Sequence, residues 1–313
     1  MQTRELLAWA MLAVAGVVRA EADVPPPAES SEAVASDGVA SDGEASEPAA
    51  PISIIPDDYT CVHPPYRAHI FSQSPLIVYL ENFITPDERV HLQAIAYVAF
   101  SRLSCPPPPP RGLDSSFQLT SARSHGKFQS SVVLNPEGRA VSNSVRSSQS
   151  TTVKADAVVR CVEARALDFQ GFDIPAVHVE GIQLVKYAPT QQYLHHTDWL
   201  KDPHKSIKEG GNRISSFFGS VKAVNVTGGG TNFPLQTAPT DSRWCRFVDC
   251  DQPYDAGVTF RPIEGNVVYW NNLHEDGRGD DRTLHAGLPV VSGEKIGINI
   301  WTRQAAVPDW WRN

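Results

Sequence analysis

Hydrophobic and polar positions follow two different periods along this chain, which predict helices first and strands afterwards. An apolar run at 75–83 predicts a buried strand. The segment Thr85–Glu88 then has the spacing of a capping box with proline at the first helical position, so we predict a helix from 86 to about 100. Apolar residues at helical spacing predict a second helix over 153–169.

From position 177 onward the apolar spacing changes to the two-residue period of strands. The predicted strands span 178–187, 193–199, 214–224, 258–260, 266–270, 282–291 and 295–303. The last two are expected to form a hairpin around Ser292–Glu294. Two helices followed by many antiparallel strands predict an α+β fold, in which helices pack on one outer face of a sandwich or barrel.

Alternation in the last predicted strand separates a core face from a polar face. Ile296, Ile298 and Ile300 lie on one side, which we predict to be buried in the core. Lys295 and Trp301 lie on the other side. We therefore expect these two side chains to share the wall of a pocket, where small-molecule sites are usually found.

The first 57 residues differ in composition from the rest. Residues 1–20 contain an apolar run of 13 residues, Leu6–Val18, and small or medium side chains at Val18 and Ala20. This pattern predicts a secretory signal peptide, with an uncleaved signal anchor as the alternative. Residues 21–57 are an acidic Ser/Ala/Pro-rich linker, which we expect to be disordered. The folded domain is expected over 58–313, with a loop insertion at about 102–127.

Charge is concentrated in the linker. The chain has a formal net charge of −8, and eight acidic residues lie between Glu21 and Glu47. The folded body is therefore close to neutral, which argues against a nucleic-acid partner. We expect no stable membrane association beyond the possible N-terminal anchor, and the sequence leaves the oligomeric state open.

Five cysteines are compatible with an oxidising compartment. They are Cys61, Cys105, Cys161, Cys245 and Cys250. The short spacing favours a Cys245–Cys250 bridge, and the odd count leaves at least one thiol free or intermolecular. A zinc site is the less favoured alternative, because no paired CxxC is present. Asn225-Val226-Thr227 is the single glycosylation sequon.

The segment Tyr193–Asp198 carries the most informative chemistry. Residues at i and i+2 of a strand share a face, so His196 and Asp198 can present an imidazole and a carboxylate together, whereas His195 points away. His285 from a distant strand would complete a set of two histidines and one carboxylate, which suits non-haem Fe(II) and O2 chemistry. Lys295 would add a fixed cation for the distal carboxylate of 2-oxoglutarate. A lone His-Thr-Asp is more often a surface turn.

Eight motifs resemble the prolyl 4-hydroxylase family of Fe(II)/2-oxoglutarate dioxygenases between about 75 and 303. In chain order they are PLIVYLENFITPDE from Pro75, RSSQS from Arg146, QLVKY from Gln183, YLHHTD from Tyr193, GNRISSF from Gly211, GGGTNFP from Gly228, GNVVYW from Gly265 and LHAGLPVVSGEK from Leu284. Their order and the spacing of ten from His285 to Lys295 are more specific than any single motif. The resemblance implies a double-stranded β-helix, or jelly-roll, core with flanking N-terminal helices.

The resemblance also implies roles for individual residues. The iron ligands would be His196, Asp198 and His285, and the catalytic set would add Lys295 as the partner of the distal carboxylate. Tyr187 and Thr231 would hydrogen-bond the cosubstrate, and Trp301 would close its pocket. The peptide groove would contain Arg146, Glu180, Tyr193 and Arg213, while Arg303 stands where many members of the family have histidine.

The reaction implied is hydroxylation of a proline-containing peptide or protein at C4 of proline. Fe(II), 2-oxoglutarate, O2 and L-ascorbate would be required, and succinate and CO2 would be released. The predicted signal peptide favours the endoplasmic reticulum lumen, or secretion. The carboxylate of Asp198 favours hydroxylation over halogenation. Two alternatives remain at this point: a hydroxylase of another residue or of a small molecule, and a catalytically silent peptide-binding module of the same fold.

Overall fold

A computed structural model of the protein describes residues 59–101, 129–130, 133–134, 140–141, 147–171, 173–201 and 209–312. The expected signal peptide, the acidic linker, the expected loop insertion at 102–127, Cys105 and Arg146 lie outside these residues. Among the helices that the structure describes, none has the length and apolar character needed to cross a membrane.

Antiparallel strands provide most of the regular structure. They are β1 (Arg67–Gln73), β2 (Leu76–Glu81), β3 (Gln129–Ser130), β4 (Val133–Leu134), β5 (Ala140–Val141), β6 (Gln149–Thr152), β7 (Gln183–Tyr187), β8 (Tyr193–His196), β9 (Arg213–Gly228), β10 (Thr231–Phe233), β11 (Val258–Phe260), β12 (Val267–Asn271), β13 (His285–Gly287) and β14 (Val290–Arg303). The α-helices of the described residues are α1 (Pro86–Ser101), α2 (Ala157–Gln170) and α3 (Asp309–Arg312). The arrangement confirms an α+β fold.

Two sheets face each other in this arrangement. Within the described residues, the larger sheet has the order β1-β2-β12-β9-β14-β7-β6-β3 and the smaller sheet the order β11-β10-β13-β8, while β4 pairs with β5. From β7 to β14 the chain passes repeatedly between the two sheets, with β10 and β11 consecutive in the smaller one, as in a jelly roll. The predicted double-stranded β-helix is therefore confirmed, and the site residues come from strands of both sheets.

The first helix begins where the capping box predicts. The backbone N–H of Thr85 donates to Oε2 of Glu88 at 2.9 Å, and the backbone N–H of Glu88 donates to Oγ1 of Thr85 at 3.2 Å. These reciprocal bonds satisfy two N–H groups that the first turn of a helix leaves without partners. The local sequence alone therefore determines the start of α1.

The second helix begins later than predicted. Asp156 is its N-cap, and Oδ1 of this residue accepts hydrogen bonds from the N–H groups of Val158 and Val159 at 3.0 Å each. Val153, the predicted first residue, instead donates its N–H to the carbonyl of Ile182 at 2.9 Å. Apolar spacing could not separate the two elements, because Val153, which directly follows β6, is buried like Val158 and Val159 of the helix.

The predicted hairpin around Ser292–Glu294 is wrong. Strand β13 lies in the smaller sheet, and β14 runs through Ser292–Glu294 in the larger sheet between β9 and β7. Gly293 has φ of 78° opposite Asn225 with φ of 51°, at an irregularity in the pairing of β9 with β14. A Cβ at Gly293 would lie 2.5 Å from the carbonyl oxygen of Asn225. The glycine thus belongs to a β-bulge, a feature that resembles a turn in sequence.

The helices pack on one face of the larger sheet, as predicted. Residues of α1, α2 and β14 form one buried cluster, in which Ile296, Ile298 and Ile300 are at most 1% exposed. A second, largely aromatic cluster contains Phe233 and Trp270 and lies toward the smaller sheet. The opposite face of β14 lines a cavity with Asn299 and Trp301. The predicted separation of the two faces of this strand is therefore confirmed.

Among the described residues, two disulfides constrain this frame. The Cys245–Cys250 bridge is present, as predicted. A second bridge joins Cys61 to Cys161 across 100 residues and links the start of the folded region to α2. Spacing along the chain carries no signal for so distant a pair, since the fold alone brings the two cysteines together.

Candidate active site

Strand pairing brings the two histidines together. His196 at the end of β8 is directly opposite His285 at the start of β13, and the ring centroids are 4.3 Å apart. Nδ1 of each ring donates to a backbone carbonyl, to Leu194 at 2.8 Å and to Thr283 at 2.9 Å. These bonds select the tautomer in which Nε2 of each ring can bind a metal.

Asp198 reaches the same point from a bend beyond the strand. Strand β8 ends at His196, so the predicted strand to 199 is too long. The carboxylate is nevertheless buried beside the histidines, with Oδ1 3.9 Å from Nε2 of His196 and Oδ2 3.8 Å from Nε2 of His285. Ser216 Oγ and Trp301 Nε1 donate to Oδ2 at 2.7 and 3.0 Å. The carboxylate of Asp198 is therefore oriented by these two hydrogen bonds, and not by the strand geometry that the sequence predicted for this position.

A chain of hydrogen bonds behind Asp198 was missed by sequence reasoning. Trp270 Nε1 donates to Oδ1 of Asn272 at 2.8 Å, and Nδ2 of Asn272 donates to Oγ of Ser216 at 2.8 Å. Ser216 then donates to Asp198. Such outer partners set ligand orientation in metal sites. The available signal in the sequence was Asn272, a polar residue just after the apolar run 267–270 of a predicted core strand.

The three side chains fit a divalent transition metal. One ligand atom from each of His196, Asp198 and His285 lies within 4.8 Å of the others. Burial opposes ionisation of Asp198, but the positive charges of His285, Arg213 and His196 and the bond from Ser216 outweigh it, so its pKa lies below the ordinary value. Two imidazoles and an ionised carboxylate on one side of a metal leave positions for other ligands, as Fe(II) oxygenases require.

Another grouping of possible ligands is excluded by covalent chemistry. Cys61, His63 and Cys161 also lie close together. The two cysteines are joined in a disulfide, so neither sulfur is available as a thiolate ligand. The His/Asp/His set is the metal-binding candidate that remains among the described residues.

Lys295 is buried in an unusual environment for a lysine. It is 2% exposed, and Nζ donates to the carbonyl oxygen of Gly229 at 2.6 Å. Nζ also lies 5.4 Å from the ring centroid of Tyr187 and 4.8 Å from that of Phe218. Burial lowers the pKa of Lys295 to about 7. A buried ammonium of this kind is stabilised strongly by an anion, which is what a cosubstrate carboxylate would provide.

A cavity of about 220 Å³ lies beside these groups, and Lys295 itself is behind its wall and not one of the lining residues. Its walls include the three candidate ligands His196, Asp198 and His285, the predicted cosubstrate residues Tyr187, Thr231 and Trp301, and the predicted groove residues Glu180, Tyr193 and Arg213. Phe218, which lies under Nζ of Lys295, is also part of the wall. His195 lies outside the cluster, with Nε2 3.4 Å from Oδ1 of Asn232, in agreement with its predicted orientation.

Two arginines hold a buried carboxylate at the side of this cavity. Arg213 donates to both oxygens of Glu180, at 2.7 and 3.0 Å, and Nε of Arg303 donates to Oε1 at 2.5 Å. Burial opposes ionisation of Glu180, but Arg213 and Arg303 outweigh it and lower its pKa. Arg213 also stacks on Trp301, with 3.7 Å from Cζ to the ring centroid. Arg303, at the position where many members of the family have histidine, thus neutralises the buried carboxylate of Glu180.

Two aromatic rings complete the site. Tyr193 stacks on His196 with centroids 3.6 Å apart and an interplanar angle of 18°, which fixes the orientation of the ligand ring. Trp311 of α3 also lines the cavity. The sequence analysis assigned Trp311 no role, although the adjacent tryptophans Trp310 and Trp311 could have indicated a contact with the folded domain.

Comparisons with known proteins agree with this geometry. The family model described as "2OG-Fe(II) oxygenase superfamily" matches residues 182–303, where 2OG stands for 2-oxoglutarate. Prolyl 4-hydroxylase 1 of Arabidopsis thaliana is 27% identical over 245 residues, which cover 77% of this chain and 73% of the relative. Prolyl 4-hydroxylase 2 of the same plant is 32% identical over 189 residues, which cover 58% of this chain and 61% of the relative.

Solved structures of similar proteins were also found. A viral collagen prolyl hydroxylase from Paramecium Bursaria Chlorella virus-1 in complex with 2OG is 25% identical, with a TM-score of 0.40 over 51% of this chain and 80% of that chain. The alignments with the first three plant relatives span 73%, 64% and 55% of their lengths. The matched region, residues 182–303, contains the whole His/Asp/His cluster and Lys295. Residues 182–303 of the chain thus match the 2OG-Fe(II) oxygenase superfamily, and the chain is similar to prolyl 4-hydroxylases.

Proposed function

We propose that this protein hydroxylates C4 of peptidyl proline, using Fe(II), 2-oxoglutarate and O2. The observation that carries the proposal is the His/Asp/His cluster in the wall of a cavity whose wall also includes Tyr187 and Phe218, the two rings beside the buried ammonium of Lys295. A metal-binding set on a cavity and a buried cation directly behind its wall are what a cosubstrate with a chelating end and a distal carboxylate needs.

The ligand residues would hold Fe(II) through Nε2 of His196, Nε2 of His285 and the carboxylate of Asp198. When bound, the iron with 2-oxoglutarate and O2 supplies the oxidising power for C–H hydroxylation, and succinate and CO2 are released. Hydrogen bonds from Ser216 and Trp301 hold the carboxylate in place before substrate arrives. The contribution of the protein is thus a ligand geometry that needs little reorganisation.

The cosubstrate would be oriented by the buried side of the cavity. Lys295 would exchange its hydrogen bond to Gly229 for an ion pair with the distal carboxylate, and the hydroxyl groups of Tyr187 and Thr231 would donate to the same end. Each of these side chains is at most 6% exposed, so water would compete weakly with the bound carboxylate.

Two features support a peptide substrate. The curated relatives are named prolyl 4-hydroxylases. The wall of the cavity also carries the Glu180–Arg213 pair and the ring of Tyr193, which can bind backbone groups and the apolar ring of a proline. Arg146 would extend this groove, as the sequence resemblance implies.

The proposal is tested with the full protein, Fe(II), 2-oxoglutarate, ascorbate and a proline-rich peptide. We expect succinate formation that depends on the peptide, together with the gain of one oxygen atom on proline by mass spectrometry. The control peptide has alanine in place of each proline. Ascorbate is proposed as the reductant that keeps the iron ferrous, and its omission should slow repeated turnover.

Other results of the same assay would overturn the proposal. Oxygen gained on another residue of a peptide panel would assign a different hydroxylase. Failure of the purified protein to bind Fe(II) would point to a silent peptide-binding module. Succinate formed at one rate with both peptides would mean that proline is not the substrate.

We also propose that the protein works in the lumen of the secretory pathway. The disulfides Cys61–Cys161 and Cys245–Cys250 are typical of an oxidising compartment, and the sequon residue Asn225 is exposed on β9. We expect glycosidase treatment of the protein from eukaryotic cells to reduce its apparent mass, and this change to be absent in Asn225→Gln. A mature N-terminus that still contains 1–20 would indicate an anchor.

A further inference from the structure

The C-terminal segment beyond the family match folds back onto the active-site cavity. The matched region ends at 303, and the next residues lead to α3. The N–H of Val307 donates to the carbonyl of Val177 at 2.8 Å, and the Val307 side chain is 3% exposed. A Cβ at Gly181 would lie 3.1 Å from the carbonyl oxygen of Trp311, so the glycine allows this close approach. The tail is therefore packed in a defined position.

Trp311 is placed between the cavity and the arginine pair. Its side chain is half-buried and lines the cavity, and Cζ of Arg303 lies 4.9 Å from its ring centroid. Arg303 in turn bonds Glu180, which bonds Arg213. The ring thus forms an apolar wall beside a set of charges that are already paired with one another.

The charges do not need Trp311 to be satisfied. Arg303 donates to Glu180 and to the carbonyl of Gly211 at 2.7 Å, and Glu180 accepts three hydrogen bonds from the two arginines. Partly exposed tryptophans beside arginines are typical of residues that contribute strongly to binding. The surface that Trp311 adds to the cavity is aromatic, like that of Tyr193 and Trp301 elsewhere in the wall.

We propose that Trp311 determines peptide specificity by packing against the residue next to the proline that is hydroxylated. The partner that fits an aromatic wall is an apolar ring, so a second proline is preferred over alanine at this flanking position. This inference rests on the proposed function, because it adds a subsite to the same cavity. Trp311 touches the peptide in this scheme and takes no part in holding iron or 2-oxoglutarate.

The test compares two peptides that present one target proline, flanked either by prolines or by alanines. Their affinities are measured by calorimetry on protein loaded with Fe(II) and 2-oxoglutarate without oxygen. We expect Trp311→Ala to weaken the proline-flanked peptide about tenfold and the alanine-flanked peptide less than about twofold. The affinity for 2-oxoglutarate is expected to be unchanged.

Two further variants separate the ring from the docking of α3. Trp311→Phe keeps an aromatic surface and is expected to retain most of the preference for proline. Arg312→Gln removes the contact of α3 with Glu163, where Nη2 of Arg312 and Oε2 of Glu163 are 3.9 Å apart, and is expected to leave both affinities unchanged. Thermal unfolding of each variant shows whether the fold is intact.

Four outcomes would overturn the inference. Equal losses for both peptides in Trp311→Ala would indicate a structural role, as would a loss of the same size in Arg312→Gln. Unchanged affinity in a folded Trp311→Ala would exclude the contact. Wild-type protein that neither binds nor hydroxylates either peptide would overturn the proposed function as well, so the two failures are distinguishable.

Discussion

Replacing Asp198 with alanine is expected to lower the rate of succinate formation at least about 1000-fold, which corresponds to about 4 kcal/mol. The substitution removes the carboxylate that lies within 3.9 Å of Nε2 of both His196 and His285. It also leaves two imidazoles with no negative charge to balance a divalent metal. The measurement is the Fe(II) content after dialysis, together with peptide-dependent succinate formation.

Two other variants serve as controls for Asp198→Ala. Asp276 is an exposed aspartate paired with Arg278 in a surface loop, so Asp276→Ala should keep full activity. Ser216→Ala removes one donor to Asp198 and is expected to lose about 10- to 100-fold in metal affinity or activity, as for other outer partners of metal ligands. If Asp198→Ala retained iron and activity, the proposed ligand set would be rejected.

Replacing Lys295 with methionine is expected to weaken 2-oxoglutarate binding by about 150- to 5000-fold. Removing one partner of a buried ion pair costs about 3–5 kcal/mol, because the other charge remains unpaired. Lys222→Met is the matched control, since Lys222 pairs with Glu294 at 2.9 Å and lies over the ring of Tyr97, which is not part of the cavity wall. Affinity is measured by calorimetry under anaerobic conditions, and equal affinities of both variants would contradict the assignment.

The pH dependence of binding provides a second measurement on the same residue. In the free protein burial lowers the pKa of Lys295 to about 7, and a bound carboxylate raises it again. Below pH 7 the ammonium is already present, so the affinity is at its maximum. Above pH 7 binding must take up a proton, and the affinity falls by up to about tenfold per pH unit. Lys295→Met should show a weak affinity without this dependence.

The fold could be predicted where adjacent residues carry the information. The capping box at Thr85–Glu88 determined the start of α1, since both partners lie within one turn. The alternation of Ile296 and Ile298 with Lys295 assigned the faces of β14, because the two-residue period is a property of a single strand. The Ser292–Glu294 hairpin failed because a bulge glycine and a turn glycine have the same local sequence.

The candidate site was predicted in part. His196 and Asp198 were grouped correctly, although the reason given was a regular strand and the structure has a bend held by Ser216 and Trp301. His285 was placed beside them through the resemblance and the order of motifs. The pairing of β13 with β8 is what brings the two rings to 4.3 Å.

By itself the sequence indicated which side chains could bind a metal, which lysine is buried and which residues lie on each face of β14. These depend on residue chemistry and on periods of a few residues. Only the tertiary structure decided which donors hold Asp198, that Arg303 pairs with Glu180, and that Trp311 lines the cavity. Each of these contacts joins residues from different strands or from the tail. Their proximity is set by the packing of two sheets, which spacing along the chain does not encode.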